Sequence, residues 1–263
     1  MQVDLIDGLH LHYRRKGYPG APLVVFLNSL GTDLRIWNGV LDRLGGRIQS
    51  LCYDKRGHGL SDAPPAPYTL DNHIDDLAGL LDHLRIERAI LCGVSVGGMI
   101  ALGLAARRPG MIQGLILCDT AHRIGSDDLW NQRIEQIRQH GIESIANPVL
   151  DRWFSKSFRQ AVPNAVAGWR NMLVRTPVEG YVGTCAALRD ADLTAAAKRL
   201  NLPVRCLCGS EDGATPPDLV QSMSALIAES RFQVVDGAGH LPCIEAPDTL
   251  AETIHALIEE IQS

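Results

Sequence analysis

From Ala89 to Ala106 the chain runs for 18 residues without a charge, between Arg88 and Arg107, and that run is broken at its middle. Length alone would let it cross a bilayer. It is interrupted by Gly93-Val94-Ser95-Val96-Gly97-Gly98, where three glycines and a serine cluster. Ala89 to Cys92 reads as a short buried strand and Met99 to Ala106 as a helix, which leaves Ser95 in a tight strand-to-helix turn. This is the G-x-S-x-G pattern of a nucleophile elbow. A turn so sharp drives the residues flanking the serine against backbone, and glycine at 93 and 97 removes the side chains that would collide. The hydroxyl then projects clear of the sheet at a helix N-terminus, where unpaired N–H groups favour developing negative charge. The pattern also arises by chance, so its meaning depends on partners elsewhere in the chain.

The chain around it alternates strand and helix. Leu9, Leu11 and Tyr13 alternate with polar residues, giving a half-exposed strand in a hairpin with Val3 to Asp7. Leu23 to Leu27 is continuously apolar, as a parallel strand covered on both faces must be. A loop over 28–32, a short helix over 35–44 and a strand over 48–53 follow. Pro64, Pro65 and Pro67 enforce a loop. From Thr69, apolar residues at 74, 77, 80, 81 and 84 mark one buried helical stripe. The elbow helix ends at Arg108-Pro109, and Ile112 to Cys118 is a further strand. From Thr120 to about Leu193 no strand pattern is evident, and helical patterns carry three of the four tryptophans. We read this as a helical cap whose aromatics mostly pack its own small core. The alternation resumes with strands over 204–208 and 231–235 and helices over 217–228 and 247–261. Such alternation implies a parallel sheet with helices on both faces.

A serine needs a base within hydrogen-bond reach and a third group to orient that base. His240 follows the last strand in Gly237-Ala238-Gly239-His240. Asp212 follows the preceding strand in Gly209-Ser210-Glu211-Asp212. Serine, acid and then histidine is the order this architecture requires. Asp119, directly after the 112–118 strand, competes for the acid role. Glu211 should point away from the base on an extended segment. Of the nine histidines, His58 is expected to organise its own turn and His255 lies on the closing helix. Two backbone N–H groups, those of Val96 and Leu30, should form the oxyanion hole.

Composition narrows the partners. At 263 residues, 46% apolar and 21% charged, the chain suits one large globular core. A net charge of −5 without basic runs argues against nucleic acid and an anionic membrane surface. Seven cysteines, mostly in apolar runs with no C-x-x-C pair, suggest free thiols in a reducing cytoplasm. The N-terminus shows no secretory signal, and neither a metal nor a cofactor is implied. Whether copies associate into a homo-oligomer is left open.

Four motifs in register, the elbow, Asp54-Lys55-Arg56-Gly57-His58-Gly59, Gly209-Ser210-Glu211-Asp212 and Gly237-Ala238-Gly239-His240, make the chain resemble the α/β-hydrolase superfamily. That resemblance implies an α/β-hydrolase fold, a mostly parallel eight-stranded sheet with helices on both faces and an inserted helical cap. Residues 1–120 and 195–263 would form the core, and 121–194 the cap. Where many relatives carry His-Gly, this chain has Asn28-Ser29. Leu27-Asn28-Ser29-Leu30-Gly31-Thr32, Thr120-Ala121-His122-Arg123-Ile124-Gly125 and the run from Cys185 to Leu193 are similar to bacterial 3-oxoadipate enol-lactonases. The resemblance implies a small lactone substrate bearing a carboxylate. Arg133, Arg189 and Arg123 are the cations that could grip it, and Trp130 could wall the pocket. Rival readings are a broad esterase or perhydrolase, a hydrolase of carbon–carbon bonds in ring-fission products, and a ligand-binding receptor on the same scaffold.

Overall fold

The computed structural model describes residues 1–263. Its strands are β1 (Gln2–Ile6), β2 (Leu9–Lys16), β3 (Leu23–Leu27), β4 (Gln49–Tyr53), β5 (Ala89–Val94), β6 (Ile112–Cys118), β7 (Val204–Gly209) and β8 (Ser230–Val235). Its helices are α1 (Asn38–Leu44), α2 (Leu70–His83), α3 (Val96–Arg107), α4 (Asp127–His140), α5 (Ala146–Trp153), α6 (Lys156–Ala161), α7 (Pro163–Val174), α8 (Val178–Asp190), α9 (Thr194–Arg199), α10 (Pro217–Ser224), α11 (Pro242–Glu245) and α12 (Pro247–Gln262). The strands form one eight-stranded sheet in the order β1-β2-β4-β3-β5-β6-β7-β8. Only the β1/β2 and β2/β4 pairs are antiparallel. This is the α/β-hydrolase fold that the motifs implied.

Local chemistry sets the pieces. Asp7 and Gly8, both at positive φ, close the β1–β2 hairpin, as Asp-Gly does where the turn must match strand twist. Thr69 caps α2 in a reciprocal box with Asn72, and Pro247 opens α12 in its first turn. Helix α3 starts at Val96, three residues before the apolar run suggested, because Ser95 itself is the last non-helical residue. Helix α10 stops at Ser224, short of the expected 228.

Six helices, α4 to α9, and no strand separate β6 from β7. Their apolar residues do not enclose a core of their own. Trp130, Ile137, Leu150, Trp153, Phe154 and Tyr181 belong to the same buried cluster as the sheet strands, so the inserted helices sit directly on the sheet's carboxyl edge. Because β3, β5, β6, β7 and β8 run in parallel, the loops after all five emerge on that edge, the usual location of sites in open α/β sheets. No helix is long and apolar enough to cross a membrane. All seven cysteines are buried and free.

Candidate active site

Ser95 adopts φ 58° and ψ −125°, a strained conformation for a residue with a side chain. A Cβ on Gly93 would lie 2.4 Å from the carbonyl oxygen of Gly97, and one on Gly97 would lie 2.2 Å from that of Leu27. Both glycines are therefore demanded by close approach of backbone. The strain is held in place by hydrogen bonds. The Ser95 N–H donates to the Cys118 carbonyl at 3.0 Å, and the Ser95 carbonyl accepts from the Thr120 hydroxyl at 2.7 Å.

His240 is buried in the loop after β8, and its Nδ1 lies 2.9 Å from Asp212 Oδ2. Nε2 is thereby left as the ring nitrogen available to the cavity. Asp212 Oδ2 also accepts from Thr215 Oγ1 at 2.6 Å, while Oδ1 accepts from the Ala214 N–H at 2.7 Å and the Thr215 N–H at 3.2 Å. Burial alone would raise this carboxyl. The charge and hydrogen bond of His240, with the Thr215 and Ala214 donors, outweigh it and hold Asp212 below the usual carboxylate range.

Asp119 takes no part in that contact. It is fully buried, its Oδ1 accepts the Gly209 N–H at 2.8 Å, and Oδ2 has no partner. Burial, then the charge of Asp212, pushes its carboxyl well above the ordinary value. Cys208 lies beside the two acids, with ligand atoms of all three within 4.8 Å. Burial raises the Cys208 thiol as well.

The loop after β3 is tied down by side chains. Asn28 Nδ2 donates to the Thr32 carbonyl at 2.6 Å, and the Gly31 N–H donates to His58 Nε2 at 3.0 Å. His58 thus reaches beyond its own turn; its Nδ1 contacts the Arg56 carbonyl at 3.1 Å, which fixes the neutral tautomer. No glycine is needed at 28 or 29, since the positive φ of this loop falls on Gly31. The N–H groups of Leu30 and Val96 have no intramolecular partner.

Lys55 is buried, and its ammonium donates to the Ser29 carbonyl at 2.5 Å. Burial brings it down to about 7 against the opposing pull of Asp54 and Asp33. Its folded value lies below the ordinary 10.5, so between the two the unfolded chain binds the extra proton and stability rises with pH. Relative to Lys55→Met, the wild-type protein should therefore gain melting temperature between about pH 6.5 and about pH 9.5. Parallel melting curves at the two pH values would contradict this.

Ser95 and His240 line one cavity of about 110 Å³, with Ser29, Leu30, Trp130 and Trp153 among its walls. No hydrogen bond joins the hydroxyl to the imidazole here, a contact that commonly tightens only once substrate is bound. The volume is well below the roughly 300–1,000 Å³ of drug-sized sites, so the ligand is small. A larger groove of about 390 Å³ lies at the opposite ends of the strands, beside Leu23 and Arg88, and holds no nucleophile and base.

No carboxylate lines the Ser95 cavity, yet two guanidinium groups do, those of Arg133 and Arg152. Arg133 lies 5.2 Å above the Trp130 ring, and Trp130 Nε1 donates to the Ile124 carbonyl at 2.7 Å. Neither arginine is in an ion pair. Burial and then the like charge of Arg133 pull Arg152 below its ordinary value. Two of the expected cations are elsewhere. Arg189 is bound by Asp190 and Asn131 and does not line the cavity, because the adjacent aspartate captures it. Arg123, in the loop before α4, pairs with Asp127 at the start of that helix. Sequence reasoning missed Arg152, whose only signal was its position beside Trp153.

Residues 24–253 match the model of the alpha/beta hydrolase family, and the chain belongs to that family. It is a hydrolase by descent. Within the family it is 32% identical to 3-oxoadipate enol-lactonase 2 of Acinetobacter baylyi over 95% of this chain and 93% of that one. The crystal structure of the enol-lactonase from Burkholderia xenovorans superposes with a TM-score of 0.95 at 36% identity, covering 98% of this chain and all of that one. The chain is also 32% identical to 2-(acetamidomethylene)succinate hydrolase of Mesorhizobium japonicum, over 98% of this chain and 94% of that protein.

Proposed function

We propose that this chain is a serine hydrolase that opens the ring of 3-oxoadipate enol-lactone to give 3-oxoadipate. Ser95 attacks the lactone carbonyl while His240 Nε2 takes its proton, and Asp212 steadies the imidazolium through Nδ1. The N–H groups of Leu30 and Val96 receive the oxyanion. Collapse of the tetrahedral intermediate opens the ring. The departing oxygen belongs to an enol, which settles into a ketone and so leaves more readily than an alkoxide. Water activated by His240 then frees the acyl group from Ser95. In this scheme the helical cap, residues 121–194, forms the roof of the site.

The observation that carries the reading is the pair of unpaired guanidiniums beside the serine and histidine, in a small cavity without a carboxylate. A substrate carboxylate is what such a pair would grip. Similarity to two enol-lactonases over nearly the whole chain supports the lactone as the reacting group. A second reading, an amide or ester of another small dicarboxylic acid, is favoured by the likeness to the succinate-derived hydrolase.

The test is a comparison of rates on the enol-lactone, p-nitrophenyl acetate, 2-(acetamidomethylene)succinate and a ring-fission diketone acid. The enol-lactone should have the highest kcat/KM, and a faster uncharged acetate ester would sink the proposal. Arg152→Ala and Arg133→Ala should each raise KM for the enol-lactone by about tenfold or more, the scale of one charge-assisted hydrogen bond. Hydrolysis of p-nitrophenyl acetate should change little. Equal losses on both substrates would remove the arginines from carboxylate recognition.

A further inference from the structure

Glu245 lies at the end of the short helix α11, five positions after His240, and nothing in the triad scheme uses it. Its carboxylate is nevertheless heavily engaged. Oε1 accepts the Gly239 N–H at 2.8 Å, and Oε2 accepts both the Ser155 hydroxyl at 2.6 Å and the Ser155 N–H at 3.1 Å. Gly239 is the residue before the proposed base. Ser155 belongs to the turn between α5 and α6 in the inserted helices, two residues after Trp153, which walls the cavity. The contact is close enough that a Cβ on Gly239 would lie 2.7 Å from the Trp153 carbonyl oxygen and 2.9 Å from Glu245 Oε1. The first residue of α6 is held by the other loop, since the Lys156 N–H donates to Glu211 Oε2 at 3.3 Å, beside Asp212. Glu211 is thus engaged by that N–H; it lies in a turn after β7, closed by the Asp212 N–H donating to the Gly209 carbonyl at 3.2 Å, and not on the extended segment expected.

We propose that Glu245 is a positioning residue that fastens the His240 loop to the Trp153–Ser155 turn, so that the base and the cavity wall are set as one unit. The inference rests on the serine-hydrolase reading above. Three donors from two separate segments meet on one carboxylate. An apolar clamp would not serve, because the Gly239 and Ser155 N–H groups would then be left buried without acceptors. Burial raises the Glu245 carboxyl even against these donors, consistent with a partly desolvated group held for its geometry. Catalytic groups displaced by a fraction of an ångström lose turnover rather than binding, so the clasp should act on kcat.

The experiment measures kcat and KM on p-nitrophenyl acetate for wild type, Glu245→Gln, Ser155→Ala and the double variant. Each rate is normalised to the serines titrated by a fluorophosphonate, which discounts unfolded molecules. Glu245→Gln should lower kcat per titrated serine by about tenfold or more, with KM within about threefold. Ser155→Ala should lower it less. The double variant should be no slower than Glu245→Gln alone, as expected of two groups acting through one contact. Wild-type kcat in Glu245→Gln, or losses that multiply in the double variant, would overturn the clasp. Should Glu245→Gln not fold, unchanged kcat in Ser155→Ala overturns it equally. Ser95→Ala separates the two ideas. If it is inactive while Glu245→Gln turns over normally, only the clasp fails; if it remains fully active, the serine-hydrolase reading fails and the clasp with it.

Discussion

Ser95→Ala is expected to keep its fold and lose about six orders of magnitude in turnover, the scale seen when a serine nucleophile is removed from a working triad. The fold should survive because the elbow is made by backbone. Gly93 and Gly97 permit the turn, and the Ser95 N–H and carbonyl, not the hydroxyl, carry the bonds to Cys118 and Thr120. The alanine Cβ is already present in serine at the same φ of 58°, so no new strain is introduced. Activity should fall because no other hydroxyl in the cavity stands at a helix N-terminus opposite His240. Circular dichroism and melting temperature check the first half, and hydrolysis of the enol-lactone the second. Activity within about a hundredfold of wild type would remove Ser95 from the nucleophile's role.

Asp212→Asn should be the next most damaging change, with kcat reduced by about four orders of magnitude. The carboxylate accepts from His240 Nδ1 and thereby leaves Nε2 as the basic nitrogen. An amide could present its N–H₂ to the ring and select the wrong tautomer. Asp119→Asn should cost less than about tenfold. Burial already disfavours a charge on Asp119 in the folded protein, and an asparagine oxygen can still accept the Gly209 N–H. The opposite ranking would transfer the acid role to Asp119. Because Asp212 is held below the usual carboxylate range, the native state binds that proton less readily than the unfolded chain. Its contribution to stability is thus present above the ordinary value of 3.8 and is lost only as pH falls through the lower, folded value.

What could be read from the sequence was what local pattern encodes. The elbow, the continuous apolar strands and the α12 stripe each declare themselves within a dozen residues, and the order of loops along a parallel sheet brings Ser95, Asp212 and His240 to one edge. Asp212 was the preferred acid from sequence, although Asp119 also follows a strand that ends on that edge, and the contact with His240 Nδ1 is made by Asp212. The inserted helices were least legible. Their arginines have similar local settings, and only packing decides that Arg152 and Arg133 face the serine while Asp190 captures Arg189. The same holds for Glu245 and Lys55. Each is a lone charge in sequence, and each acquires a role only when a distant backbone segment is laid against it.

The claim on which the rest depends is that His240 makes Ser95 reactive. It is tested most directly by treating the protein with a fluorophosphonate and locating the adduct by peptide mass spectrometry, in wild type and in His240→Gln. A single adduct on Ser95 in wild type, and none in His240→Gln over the same time, is the expected result. An adduct on another residue, or equal labelling of Ser95 in both proteins, would contradict it.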